Sequence, residues 1–230
     1  MNDLSTAQAS DDDRAAAGIR SVYETLRGRI IEGAYPPGAR LVASVLAQEL
    51  GTSTNPVREA LRQLSGEGFV TLAHNRGARV RAIDAAFVRD VIEIETLLEP
   101  YMTRWFVGVA TAEDLAALHA LQAEMEANAF ADAALHTRLD TEFHRTMYER
   151  HYNRHAVDLW WKHREVISAI SRRQRFSLDR QKAILREHRA LLAAIEAHDA
   201  GLAAETILRH IEGSGRHVID RMGGGIAIRR

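Results

Sequence analysis

The 230-residue chain contains no cysteine. Disulfides, thiolate nucleophiles and cysteine-ligated metals are therefore excluded, and any metal ion has to be held by histidine and carboxylate. No stretch approaches the roughly 18 or more apolar residues that a membrane-spanning helix needs. Nor does an export signal open the chain, since Asp11, Asp12 and Asp13 stand where a signal peptide carries cations followed by an apolar run. These absences point to a cytoplasmic protein with no membrane partner. Internal repeats are missing too. A formal charge of only −1 argues against a chain coated throughout in nucleic acid. What remains, 46% apolar and 27% charged residues, is ordinary for one large or two small globular domains.

The near-zero average charge conceals an asymmetry. Residues 14–81 hold ten Arg against five Glu, residues 1–13 carry four Asp, and residues 82–230 carry 20 basic against 22 acidic side chains. Only the first third is built to meet an anion.

Residues 1–17 mix Ser, Ala, Asp and Gln without apolar periodicity and are expected to form a disordered lead-in. Helical spacing begins with Ile19, Val22, Leu26, Ile30 and Ile31 and is stopped by Gly33 and the Pro36-Pro37-Gly38 turn. A short helix over 43–50 ends at Gly51. Ser53 or Thr54 caps a third helix, with Pro56 in its first turn, where a missing N–H matters least, and Val57, Leu61 and Leu64 as its inward stripe. The segment "FVTLAHNRGARVRAI" then alternates around Asn75-Arg76-Gly77 as a two-stranded hairpin. Three short helices followed by a hairpin with a basic tip is the layout of a winged helix-turn-helix, assigned to residues 18–82. In that layout the third helix enters the DNA major groove by its N-terminal end. Ser53, Thr54, Asn55, Arg58 and Arg62, with Arg76 and Arg79 of the hairpin, are the candidate DNA-binding residues. The competing reading is that Arg58 and Arg62 are solvated charges paired with Glu59 or Glu67.

From Asp84 the character changes to amphipathic helical segments, approximately 85–107, 112–128, 131–151, 154–173, 178–197 and 200–221, with Asp84, Thr111 (and Asp114 three residues on, a capping box) and Ser177 as caps. The fold class is thus mainly α: an N-terminal winged helix-turn-helix and, over 84–222, an antiparallel all-helical bundle of six to seven helices. The count depends on Pro100, which is expected to kink or divide the first of them. Residues 223–230 are expected to be a flexible tail.

Several polar residues in the bundle sit where a core is expected. Asp140 and His144, four apart, share one helix face. His188 lies in the apolar stripe of Leu185, Leu192 and Ile195, and His210 beside Ile207 and Ile211. One carboxylate and three imidazoles converging from three helices suit a divalent metal, zinc first, with nickel, manganese or iron as alternatives. An inward histidine is also a common hydrogen-bonded core residue, and His151 and His217, each seven beyond His144 and His210, offer the same faces. A hydrolase-like metalloenzyme needs in addition a general base beside a metal-bound water. No H-E-x-x-H pattern supplies one, and Glu142 points about 200° away from Asp140 around the helix.

Taken together, the two halves resemble a known family. The pattern "EGAYPPGARL…LAQELGTSTNPVREALRQLSGEGFV…NRGARV" resembles the DNA-binding domain of GntR-type bacterial transcription regulators. "LLEP", "DTEFHRTMYERHYN", "EHRALLAAIEAHD" and "RHIE" are similar to the helical FCD ligand-binding domain of the FadR branch. The resemblance implies a homodimeric, non-enzymatic regulator that binds a palindromic double-stranded operator and responds to a small-molecule effector, by default an organic acid. It implies metal ligation by Asp140, His144, His188 and His210. Two departures stand out. Ser53-Thr54-Asn55-Pro56 lacks the arginine of the usual Ser-Arg-x-Pro. Glu95 occupies a position where relatives carry arginine, and there it is expected to repel an effector carboxylate. Glu95 and Arg145 are the candidate effector-pocket residues.

Overall fold

The structure, a computed structural model, describes residues 4–73, 77–82, 84–173 and 176–223. It divides into two compact units, residues 1–83 and 84–230.

In the first unit, helix α1 (Leu4–Ile31) buries Val22, Tyr23, Leu26 and Ile30 against α3. It starts well before Ile19, so residues 4–17, expected to be disordered, continue the helix; Ala7, Ala9 and Ala15 to Ala17 give that stretch high helical propensity. Strand β1 (Arg40–Leu41), helices α2 (Ala43–Glu49) and α3 (Thr54–Gly66), and strands β2 (Val70–Ala73) and β3 (Gly77–Val80) follow. The hairpin acquires a third strand, giving an antiparallel sheet in the order β1-β3-β2. Gly77, with φ of +81°, opens β3 where a Cβ would approach the Leu41 carbonyl oxygen to 2.8 Å, so neither its backbone conformation nor its surroundings admit a side chain. Val57, Ala60, Leu61 and Leu64 form the buried stripe of α3 over Phe69, Ala78 and Val80.

The second unit consists, among the described residues, of six helices: α4 (Ala85–Val109), α5 (Ala112–Asn128), α6 (Ala133–Tyr148), α7 (Arg154–Arg173), α8 (Leu178–Glu196) and α9 (Ala200–Arg221). Asp84, Thr111 and Ser177 cap α4, α5 and α8, with the Thr111–Asp114 box complete; Asp132 and Asp199 cap α6 and α9 in the same way. Pro100 does not divide α4, which stays helical on both sides of it because Glu99, Met102 and Thr103 are locked in the core. Helix α4 packs along α9, α7 and α6. Helices α4 and α9 come close at Gly215, where a Cβ would lie 2.7 Å from Ile92 Cγ2. Trp160, Tyr148, Phe106, Phe143, Met102 and Met147 fill the interior.

Candidate metal centre and nucleic-acid face

Helix α6 presents Asp140 and His144, α8 presents His188 and α9 presents His210, and their potential ligand atoms all lie within 4.8 Å of one another. The three imidazoles converge closely, with ring centroids 5.6 Å apart for His144 and His188, 5.5 Å for His144 and His210, and 4.8 Å for His188 and His210. All three are buried, and Phe143 stacks on His188 at 4.5 Å to fix its plane.

Carboxylates outside the cluster hold two of the rings by their far nitrogen. His144 Nδ1 meets Glu99 Oε2 at 3.0 Å, and His210 Nδ1 meets Glu187 Oε2 at 2.9 Å. A ring that donates Nδ1–H to a carboxylate leaves Nε2 as a bare acceptor, and this is the second shell that metal-bound histidines ordinarily carry. Glu99 also accepts from Tyr148 Oη at 3.1 Å and Trp160 Nε1 at 3.3 Å, while both Glu187 oxygens accept from Arg180. Burial alone would raise the Glu99 carboxyl; His144 and Arg164 outweigh it and keep it ionised.

The fit to a metal can be judged from what is left unsatisfied. His144 Nε2 and both ring nitrogens of His188 are buried with no hydrogen-bond partner, although His188 Nε2 lies 3.5 Å from Asp140 Oδ1. A buried polar atom left unpaired costs about 1–3 kcal/mol. Burial, and then the neighbouring His210, hold the His188 imidazole well below its ordinary range, and burial lowers His210 against the opposing pull of Glu187. Asp140 would rise on burial alone, but the adjacent Arg164 guanidinium and the imidazoles keep it well below the usual carboxylate range. Buried imidazole nitrogens without hydrogen-bond partners and an ionised carboxylate oxygen, turned toward one point, fit a divalent cation of the zinc, nickel, manganese or iron type.

Beside this cluster lies a cavity of about 60 Å³ bordered by Asp140, His144 and His210 and by His136, Thr137, Arg164, Ser168 and Ser214. Arg164 was not among the residues expected here. It is buried, pairs with Asp140, and its Nε donates to Thr141 Oγ1 at 3.2 Å. An arginine one turn beyond buried Trp160, on the helix face that Trp160 shares with buried Val157, is the legible signal.

The two expected effector-pocket residues lie elsewhere. Arg145, five residues and so about 140° around α6 from Asp140, is 40% exposed and engaged by Glu142 and Glu149. Glu95 is buried outside the cavity lining, with Oε1 2.6 Å from His163 Nδ1. Burial, and then the charge of Glu99, push its carboxyl up to about 10. Burial lowers His163. Glu95 and His163 therefore share one proton and carry no net charge, and the repulsion expected of Glu95 is absent. His151 and His217 stand apart from the cluster, His151 buried beneath the rings of exposed Tyr101 and half-exposed Trp105 and His217 against Phe176.

In the first unit, Ser53 occupies the cap position of α3 in extended backbone but makes no side-chain capping bond. Ser53, Asn55 and Arg58 are exposed and Thr54 half-exposed. Arg62 pairs with Glu59 on the solvent side. Arg79 donates to the Gly38 carbonyl at 2.9 Å, and Arg76 lies outside the described residues. Thr54, Arg58 and Arg62 share an open groove with Arg40 and Ser44, two residues the sequence did not single out. Arg40 is directly opposite Arg79 in the β1–β3 register, a like-charge pair that is unfavourable across strands by itself.

Comparison with known proteins gives consistent matches. Residues 19–80 match the bacterial regulatory proteins of the gntR family and residues 90–213 the FCD domain. The galactonate operon transcriptional repressor of Escherichia coli K12 is 28% identical over 222 residues, covering 84% of this chain and 93% of the repressor. The HTH-type transcriptional regulator YdhC of Bacillus subtilis 168 is 27% identical over 200 residues, covering 85% of this chain and 88% of YdhC. Among solved structures, E. coli McbR/YncC has the same fold, with a TM-score of 0.70 at 20% identity over 89% of this chain and 98% of that one.

Proposed function

Because the chain belongs to the GntR family of bacterial regulatory proteins and carries an FCD domain, it is a DNA-binding transcription regulator and not an enzyme, and we propose that its operator affinity is set by a small-molecule effector bound beside a metal ion in the helical unit. The observation that carries this reading is the set of buried imidazole nitrogens without partners, facing an ionised Asp140 next to a cavity. Asp140, His144, His188 and His210 would hold the ion, zinc first. The ion supplies a Lewis-acidic cation that attracts an effector oxygen. The chain's own residues do the rest: Glu99 and Glu187 orient two of the rings, Arg164 neutralises Asp140, and Thr137, Ser168 and Ser214 offer hydroxyls to a small, oxygen-rich ligand. An organic acid remains the default effector, and the neutral Glu95–His163 pair removes the objection to one.

In this reading residues 18–82 bind DNA and residues 84–222 sense the effector. The N-terminal end of α3, with Ser53, Thr54, Asn55 and Arg58, enters the major groove, and Arg40 and Arg79 meet phosphates nearby. One such unit makes few contacts, so two copies bind a palindrome with half-sites about one helical turn apart. A coupling of about 1–3 kcal/mol between effector and operator is sufficient for regulation.

The test is His188→Ala, with metal content, effector binding and operator binding measured on one folded sample against DNA flanking the gene. Loss of metal together with loss of the effector response is expected. A folded, metal-free variant that still binds effector and releases DNA like the parent would overturn the proposal.

A further inference from the structure

Arg180 is a cation that neither the metal ligands nor the DNA face accounts for. It sits in the first turn of α8, three residues after the Ser177 cap, and its side chain is only 9% exposed. Burying a guanidinium is costly unless it is paired and hydrogen-bonded. The bonds it makes all lead to one neighbourhood. Nη1 donates to Glu187 Oε1 at 2.8 Å and Nη2 to Glu187 Oε2 at 2.6 Å, a fork on both carboxylate oxygens. Nη2 also reaches the His210 carbonyl at 3.0 Å and Ser214 Oγ at 2.9 Å on α9, sharing its two hydrogens among three acceptors.

His210 is thus held at two points by one residue. Its backbone carbonyl accepts from Arg180 directly, and its ring Nδ1 meets Glu187 Oε2 at 2.9 Å, the oxygen that Arg180 Nη2 grips. The other carboxylate that holds a ring needs no such help, since Glu99 is buried and accepts from Tyr148 and Trp160 besides meeting His144. Glu187 is 23% exposed, and among the described residues its hydrogen-bond partners are His210 and Arg180 alone. Released from the guanidinium, its carboxylate has water within reach and its rotamer freedom restored.

Helix α9 carries a matching gap. Gly213 lies in the helix interior with ordinary helical backbone, where glycine is a poor choice and alanine a good one. A Cβ there would stand 2.5 Å from Arg180 Nη1 and 3.0 Å from Cζ. The glycine is explained by the guanidinium lying across it and not by the backbone.

We infer that Arg180 is a positioning residue of the metal centre, lodged in the Gly213 gap, that acts through Glu187 to hold the His210 imidazole with Nε2 toward the cation. The inference rests on the metal reading above and adds to it a residue that touches none of the ligand rings. Charge alone gives the opposite expectation. A guanidinium repels a cation, so its removal would tighten metal binding by Coulomb's law, whereas positioning requires that its removal loosen it.

Zinc and cobalt affinities of the full-length chain, measured by competition with a chromophoric chelator, test this, with the visible band of bound cobalt reporting ligand geometry. Arg180→Met is expected to bind both ions about 10–100-fold more weakly than the parent and to alter the cobalt band. Arg180→Lys, which keeps the charge without the fork, is expected to lose a similar factor. Gly213→Ala separates the site from the fold, because the tip of Arg180 can swing aside. In chelator this variant is expected to unfold in urea no earlier than the parent, while its zinc affinity falls at least about fivefold. Since Arg180 acts through Glu187, adding Arg180→Met to Glu187→Gln is expected to cost less than about twofold beyond Glu187→Gln alone. Parent-like or tighter metal binding by any of the three single variants at Arg180 and Gly213, or losses that add in the double variant, overturns the inference and leaves the metal centre standing; should Arg180→Met not fold, Gly213→Ala decides by itself. A parent that binds neither zinc nor cobalt removes the metal reading itself.

Discussion

Replacing Glu95 by Gln changes one buried proton and little else, so its effect can be worked out in advance. Glu95 and Glu99 lie one turn apart on α4, both buried. Glu99 keeps its charge by accepting from His144, Tyr148 and Trp160, whereas Glu95 meets His163 through Oε1 and lies beside the Glu99 carboxylate. Burial and then the Glu99 charge therefore raise the Glu95 carboxyl from 4.5 to about 10. An acid raised on folding binds its proton more tightly in the folded than in the unfolded chain. Its contribution to stability is complete below pH about 4.5 and declines as pH rises toward 10, by at most about 1.4 kcal/mol per pH unit. Gln keeps the shape and holds no titrating proton. Between pH 6.5 and 8.5 the stability of Glu95→Gln relative to the parent is therefore expected to rise by roughly 2–3 kcal/mol, while every other titration cancels in the difference. Trp105, Trp160 and Trp161 all lie in the helical unit, so tryptophan fluorescence during urea unfolding follows that unit alone. A difference that stays flat across this range, or that falls, would mean that Glu95 is ionised in the folded protein.

Arg58→Ala is expected to weaken specific operator binding by roughly 1–3 kcal/mol if the side chain reads a base, and a gel shift at fixed salt checks it; unchanged affinity would exclude the docking of α3 by its N-terminal end. Gly215→Ala places a methyl against Ile92 and should destabilise the helical unit by about 1–3 kcal/mol through overpacking, measured by urea unfolding. Arg164→Met strands the Asp140 charge, which in chelator should lower stability by roughly 3–5 kcal/mol. Added zinc should recover much of that loss, and equal destabilisation with and without zinc would argue against a metal at Asp140.

The features that the sequence made legible are local ones. The caps at Asp84, Thr111 and Ser177 are satisfied within three residues, and the shared face of Asp140 and His144 follows from helical pitch alone. His188 and His210 were visible because each interrupts an apolar stripe. The carboxylates that orient the rings were not visible, since Glu99 reaches His144 across 45 positions and Glu187 reaches His210 across 23. Arg145 is close to Asp140 in sequence, but the helical rotation carries it to the solvent side. The formal charge of Glu95 is legible in the sequence, and the burial that raises its carboxyl is not. The helical start of α1 carries no apolar pattern and depends on alanine propensity, too weak a signal to distinguish it from irregular chain.

Pro100 gives α4 a mechanical property that its neighbours lack. Proline has no N–H to offer the Thr96 carbonyl, so the helix is missing one rung of its ladder halfway along. That weak point lies between Glu99, which holds buried His144 on one side, and Tyr101, which is exposed on the other. A rod weakened at a single level bends there before it bends anywhere else. Helix α4 is thus two regular arms joined at one level that lacks a rung, and what holds the two arms in line at that level is the packing of Glu99, Met102 and Thr103 rather than the backbone ladder.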